Sequence, residues 1–138
     1  MTPLRLGAAV LAAGVFLTMS AWALAQDAAR IAAGEAAWDK AGCLQCHGAS
    51  GEGGVGGEFP AGPSLKATLL DRATLVDTIS CGRPGTEMPA WLKGAYTEVS
   101  CYRIPKGPPP TGLQRTPVLG GDEIEALTDY LMAEVVGK

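Results

Sequence analysis

The densest chemistry in this chain lies in five consecutive residues, Cys43-Leu44-Gln45-Cys46-His47. Two thiols three positions apart are followed at once by the only imidazole in the sequence. At the end of a helix, two such sulfurs reach two vinyl groups of one porphyrin, and the next residue reaches the iron from the proximal side. C-x-x-C-H is the attachment pattern of c-type haem. Two other chemistries use a C-x-x-C pair. A thioredoxin-like redox site needs a βαβ setting, and no strand is evident around Cys43. A zinc site needs further ligands, for which Cys81 and Cys101 are the only cysteines left.

The elements that must position these residues are helices and loops. The chain has 138 residues, 47% of them hydrophobic and 18% charged, with 19 glycines and 10 prolines. That length suits one domain, and the composition excludes a disordered chain. A formal net charge of -3 argues against a general nucleic-acid binder. Asp27 to Gly42 is predicted as a helix with Asp27 as N-cap and Gly42 as stop. Gly48 to Gly62 is glycine-rich loop. Arg72 to Ser80 is a short helix with Leu75, Val76 and Ile79 as its apolar stripe. Gly82 to Gly121 is rich in proline and must be mostly loop. Asp122 to Val136 is the clearest helix, with Ile124, Leu127, Leu131 and Val135 at helical spacing. So much loop leaves a meagre protein-only core, which a large apolar prosthetic group would complete.

The first segment reads as an address. Met1 to Arg5 carries one positive charge, an apolar run follows from Leu6, and Ala23-Leu24-Ala25 fits a small-x-small cleavage site. The expectation is a cleavable secretory signal over residues 1–25 and a domain over 26–138. An uncleaved membrane anchor is the alternative, since Leu6 to Leu24 is long enough to span. Either way the domain is expected outside the cytoplasm, where disulfides persist.

The stretch Trp38-Asp39-Lys40-Ala41-Gly42-Cys43-Leu44-Gln45-Cys46-His47-Gly48 resembles the haem-binding segment of class I monohaem cytochromes c. The resemblance extends over nearly all of residues 26–138: first helix, haem motif, Gly62-Pro63-Ser64-Leu65, the Met88-Pro89 loop and a final helix, in the family's order. It implies an all-α cytochrome c-like fold wrapped around one haem c, attached through Cys43 and Cys46. A long proline-rich loop would precede the C-terminal helix. It also implies that the Pro63 carbonyl accepts a hydrogen bond from His47, that Leu65 packs on the porphyrin, and that Gly34 meets Tyr130 where the first and last helices cross.

With one histidine, the second iron ligand cannot be an imidazole of this chain. Met1 and Met19 belong to the leader, and Met132 falls in the last helix. Met88 lies in Gly85-Thr86-Glu87-Met88-Pro89, and in the family a Met-Pro pair marks the distal ligand. The alternatives are a gap-filling methionine or an iron without a second protein ligand. His/Met ligation favours electron transfer over oxygen or peroxide activation. Trp91 would pack on the haem, hydrogen-bond a propionate, or simply be buried.

Cys81 and Cys101 flank Met88. In an oxidising compartment they are expected to pair, closing a loop of about 20 residues around the ligand methionine; two buried free thiols are the alternative. The segment 94–121 is an insertion relative to the smallest family members, with three readings: a wrap over the haem edge, a docking element for one partner, or a solvated loop. Charge is uneven, with Phe59 to Leu119 basic between two acidic flanks. Lys66, Arg72, Arg83, Lys93, Arg103, Lys106 and Arg115 supply it, so a basic face around the haem edge could meet an acidic redox partner.

The expected protein is thus a periplasmic one-electron carrier, not itself an enzyme, passing electrons between a donor and an acceptor protein. It would touch no nucleic acid, and the membrane only through a retained leader or a membrane-bound partner. The alternative is a fixed haem subunit of a larger oxidoreductase. A haem enzyme or gas binder would require Met88 to be off the iron.

Overall fold

The computed structural model describes the backbone of residues 7–54, 56–110 and 115–138, and side chains from residue 22 onward. The charged start of the expected leader, Met1 to Arg5, lies outside these residues, as do 111–114 of the proline-rich segment. Among the described residues four α-helices follow in order: α1 (Gly7–Ala41), α2 (Leu44–His47), α3 (Arg72–Cys81) and α4 (Gly121–Tyr130), the last continued by a π-helical turn at Leu131–Val135. Among the described residues there is no strand, only two isolated bridges, Leu92 with Leu119 and Ala95 with Val99.

α1 departs from the expected helix at its start. It runs unbroken past Asp27, so Asp27 is neither its first residue nor its cap. The sequence on both sides of Asp27 is rich in alanine, the best helix former, and nothing there interrupts the ladder. The stop is where expected: α1 ends at Ala41 and Gly42 turns away with φ 68°. Among the described residues no helix is long and apolar enough to cross a membrane.

The core forms where α1 crosses α4. Ala37, Trp38 and Ala41 pack with Ile124, Leu127, Leu131 and Val135, all buried. The approach is close because Gly34 has no side chain: a Cβ there would collide with the Ala126 carbonyl and Tyr130 Cβ. Trp38 also tilts against Tyr130, with ring centroids 6.5 Å apart. Outside the core, Lys40 pairs with Glu123 at 2.6 Å, and Arg30 of α1 and Arg72 of α3 both pair with Asp129 of α4.

α3 starts one residue after Asp71, whose Oδ1 accepts the Thr74 N–H at 2.8 Å. Its buried face is Leu75 and Ile79, as the apolar stripe predicted, and it extends one residue further, to Cys81. α4 starts at Gly121, where Glu123 reaches back to the Gly120 N–H at 2.8 Å, half of a capping box. The π-helical turn that replaces its expected end keeps Leu131 and Val135 facing inward, both buried.

Candidate functional site

The proximal wall is assembled from neighbours in sequence. After Gly42 the chain makes one helical turn, with the His47 N–H bonded to the Cys43 carbonyl at 2.9 Å. Cys43 and Cys46 are both half-buried and neither is in a disulfide. Burial pushes the Cys43 thiol up to about 12, so it is held neutral. The glycine-rich loop then folds back onto this turn. Gly53 N–H donates to the His47 carbonyl and Gly62 N–H to the Cys46 carbonyl, each at 2.7 Å. A side chain at Gly62 would not fit, since its Cβ would lie 2.8 Å from both Cys46 O and His47 Nδ1.

This packing sets the imidazole. His47 Nδ1 lies 2.9 Å from the Pro63 carbonyl. A carbonyl can only accept, so Nδ1–H is the donor in this contact, which in a neutral imidazole is the Nδ1–H tautomer. A ligating histidine needs that tautomer, and the bond raises its basicity. Trp38 flanks the ring at a centroid distance of 6.4 Å.

The distal wall comes from a segment far along the chain. Residues 88–92 run back along the end of α3: Trp91 N–H donates to the Ile79 carbonyl at 3.1 Å and Leu92 N–H to the Ser80 carbonyl at 3.2 Å. Arg83 N–H donates to the Met88 carbonyl at 3.0 Å. The same strip is held from the other side, with Leu119 N–H on the Trp91 carbonyl at 3.0 Å. Met88 is half-buried and Trp91 buried. Cys81 Sγ and Cys101 Sγ are joined at 2.05 Å, behind the Met88 segment and away from the cavity.

Between the walls lies a cavity of about 560 Å³, within the usual range for small-molecule and cofactor sites. Cys43, Cys46, His47, Pro63, Leu65, Met88 and Trp91 all line it. Every residue the sequence marked for haem therefore borders one space. Leu75 and Ile79 of α3, with Leu127 and Leu131 beyond α1, make its sides apolar. Trp38 also lines it, and its buried Nε1–H has no acceptor among the described residues. The protein alone thus leaves one wall incomplete. An apolar cavity offering two thiols, one free imidazole nitrogen and one thioether matches the donor set of haem c. It does not match zinc: among the described residues no three His, Cys, Asp or Glu side chains converge.

Of the seven cations in the middle segment, only Arg83 and Arg115 line the cavity. Arg72 is engaged with Asp129 and Glu125 instead. Arg115 stacks over Phe59, 5.0 Å from its ring centroid, and reaches Gln45 at 3.5 Å. Neither Arg83 nor Arg115 was distinguishable in the sequence from the other five. Met132, assigned to core or surface, is 41% exposed and lies at the surface.

The family model of cytochrome c oxidase, cbb3-type, subunit III matches residues 29–104. That span includes the haem motif, Met88 and both Cys81 and Cys101. Two curated relatives are similar to the chain. The cbb3-type cytochrome c oxidase subunit CcoP of Azospirillum sp. (strain B510) is 41% identical over 75 residues, covering 50% of this chain and 25% of the relative. CcoP of Azospirillum brasilense is 43% identical over 72 residues, covering 49% and 24%. The chain thus spans about a quarter of the length of these relatives. No solved structure matches it significantly.

Proposed function

The chain belongs to the family of cytochrome c oxidase, cbb3-type, subunit III, and on that premise we propose that it is a haem-carrying electron-transfer subunit of a larger membrane-associated oxidoreductase. A cytochrome c domain implies covalently bound haem c and a role in electron transfer. The number of haems, the ligands and the assembly are the proposal: one haem, Cys43 and Cys46 as thioether donors, His47 and Met88 as iron ligands. When bound, haem c supplies a one-electron Fe(III)/Fe(II) couple.

Pro63 fixes the His47 tautomer and ring plane. Leu65, Trp91 and the apolar side chains of α3 and α4 would line the haem pocket, and such an apolar surround favours the lower-charged state of an iron centre. A thioether from Met88 is a soft, neutral ligand, and with it in place no coordination position is left for substrate. The chain therefore binds and orients but transforms nothing by itself. Cys81 and Cys101 would form a structural disulfide, which suits placement in the periplasm behind a secretory leader over residues 1–25.

The observation that carries the electron-transfer reading is the convergence of Cys43, Cys46, His47 and Met88 on one apolar cavity, with His47 set by Pro63 at 2.9 Å. The resemblance to CcoP supports a fixed subunit more than the diffusible carrier placed first from sequence. The test is to purify the tagged chain from its native membrane and soluble fractions. Co-purification at fixed stoichiometry with a membrane oxidoreductase, and reduction of that complex through this haem, is expected. Recovery as a monomer from the soluble fraction alone would contradict the subunit reading.

A further inference from the structure

The insertion that follows the Met88 segment has a task in the structure. α3 ends at Cys81, and a helix end leaves carbonyls without intrahelical partners. Two of these, Ile79 and Ser80, accept backbone N–H groups of Trp91 and Leu92. The next two come to the insertion. Tyr96, 1% exposed, donates its hydroxyl to the Cys81 carbonyl at 2.9 Å. Tyr102 donates its hydroxyl to the Gly82 carbonyl. Burial pushes both phenols upward, so both stay protonated donors.

The carbonyls they hold belong to residues that touch the ligand segment. Gly82, at φ 67°, is pressed on Met88-Pro89: a Cβ there would lie 2.5 Å from the Pro89 carbonyl carbon and 2.7 Å from Met88 O. Arg83, the next residue, donates its N–H to Met88 O. The disulfide brings Cys101, and so Tyr102, beside Cys81. Tyr96 and Tyr102 both hold left-handed backbone, at φ 67° and 51°. Non-glycine residues rarely adopt that region, and it persists only where surrounding contacts demand it.

We propose that Tyr96 and Tyr102 are positioning residues for Met88, acting through the backbone of Cys81 and Gly82. They cap α3 with side chains from the insertion and thereby fix the peptide on which Met88 sits. The inference rests on Met88 as the distal iron ligand.

The test uses the haem-loaded chain and the variants Tyr96→Phe, Tyr102→Phe and the double variant, which remove hydroxyls and keep the rings. Three readouts are taken: the weak methionine-sulfur band of the oxidised spectrum, carbon monoxide binding by the reduced form, and amide exchange of Arg83, Trp91 and Leu92. Each lost hydroxyl is expected to raise carbon monoxide binding and exchange at these amides about fivefold, with the sulfur band weakened in the double variant. Tyr102 is 45% exposed, so Tyr102→Phe reads its hydroxyl with little loss of core. A wild-type band with unchanged exchange and unchanged carbon monoxide binding in the double variant overturns the positioning role alone. Absence of the band in the wild type overturns the Met88 ligation beneath it, and the proposal with it.

Discussion

The two walls of the cavity are built in opposite ways. The proximal wall, Cys43 to Pro63, is local: a single turn, a glycine-rich return and one carbonyl bring thiols, imidazole and its partner together within about 20 residues. The distal wall is held by distant parts of the chain. Met88 depends on the end of α3, on the Trp91–Leu119 pairing, and on the insertion with its disulfide and two tyrosines. Local contacts cost little loop entropy and long-range ones cost more. The proximal side therefore suits permanent attachment, and the distal side is where ligation can be tuned or lost.

The largest expected effect breaks the proximal wall. Cys43→Ala with Cys46→Ala should abolish covalent haem, read as loss of haem stain on a denaturing gel. The contrast requires that variants of the distal wall keep that stain. Cys81→Ser with Cys101→Ser comes next. It should lower stability by about 3 kcal/mol in the loop-entropy model, measured by denaturant unfolding of the haem-loaded chain, while covalent haem remains. Loss of covalent haem in this second variant would show that the two walls are not separable.

The smallest effect should fall on both walls alike, because it acts on the frame that joins α1, α3 and α4. Arg72, and then Arg30, hold the Asp129 carboxyl below its ordinary value of 3.8. A carboxyl lowered on folding stabilises fully above its unfolded value, and that contribution is lost as pH falls through the folded value. The partners are largely exposed, so the contribution is at most about 1 kcal/mol. Asp129→Asn should lower the thermal midpoint slightly at pH 7, by an amount that shrinks as pH falls below 3.8. A drop that stays constant across that range would assign the effect to packing rather than charge.

The same contrast explains what the sequence disclosed. His47 with Pro63, and Gly34 with Tyr130, are legible through the resemblance to class I monohaem cytochromes c, whose short motifs lie in the same order here. The apolar stripes of α3 and α4 are legible from helical spacing, but periodicity does not say that Leu75, Ile79, Leu127 and Leu131 line a cavity. The start of α1 was misread: Asp27 has a capping side chain, but local propensity continues the helix through it. Tyr96 and Tyr102 were not readable at all. Their roles depend on left-handed backbone and on carbonyls some 15 to 20 positions away, and no periodicity encodes that. Of the basic middle segment, Arg83 and Arg115 line the cavity and Arg72 pairs with the α4 carboxylates, a division that no sequence pattern announces.

The central claim is that one iron is held between the local wall and the long-range wall, by His47 and Met88. Optical spectra of the haem-loaded wild type and of Met88→Ala test it most directly. The oxidised wild type should show the weak methionine-sulfur band, and its reduced form should resist carbon monoxide. Met88→Ala should keep covalent haem, lose the band and bind carbon monoxide on reduction. A band that survives in Met88→Ala, or a wild type that lacks it, would contradict the account.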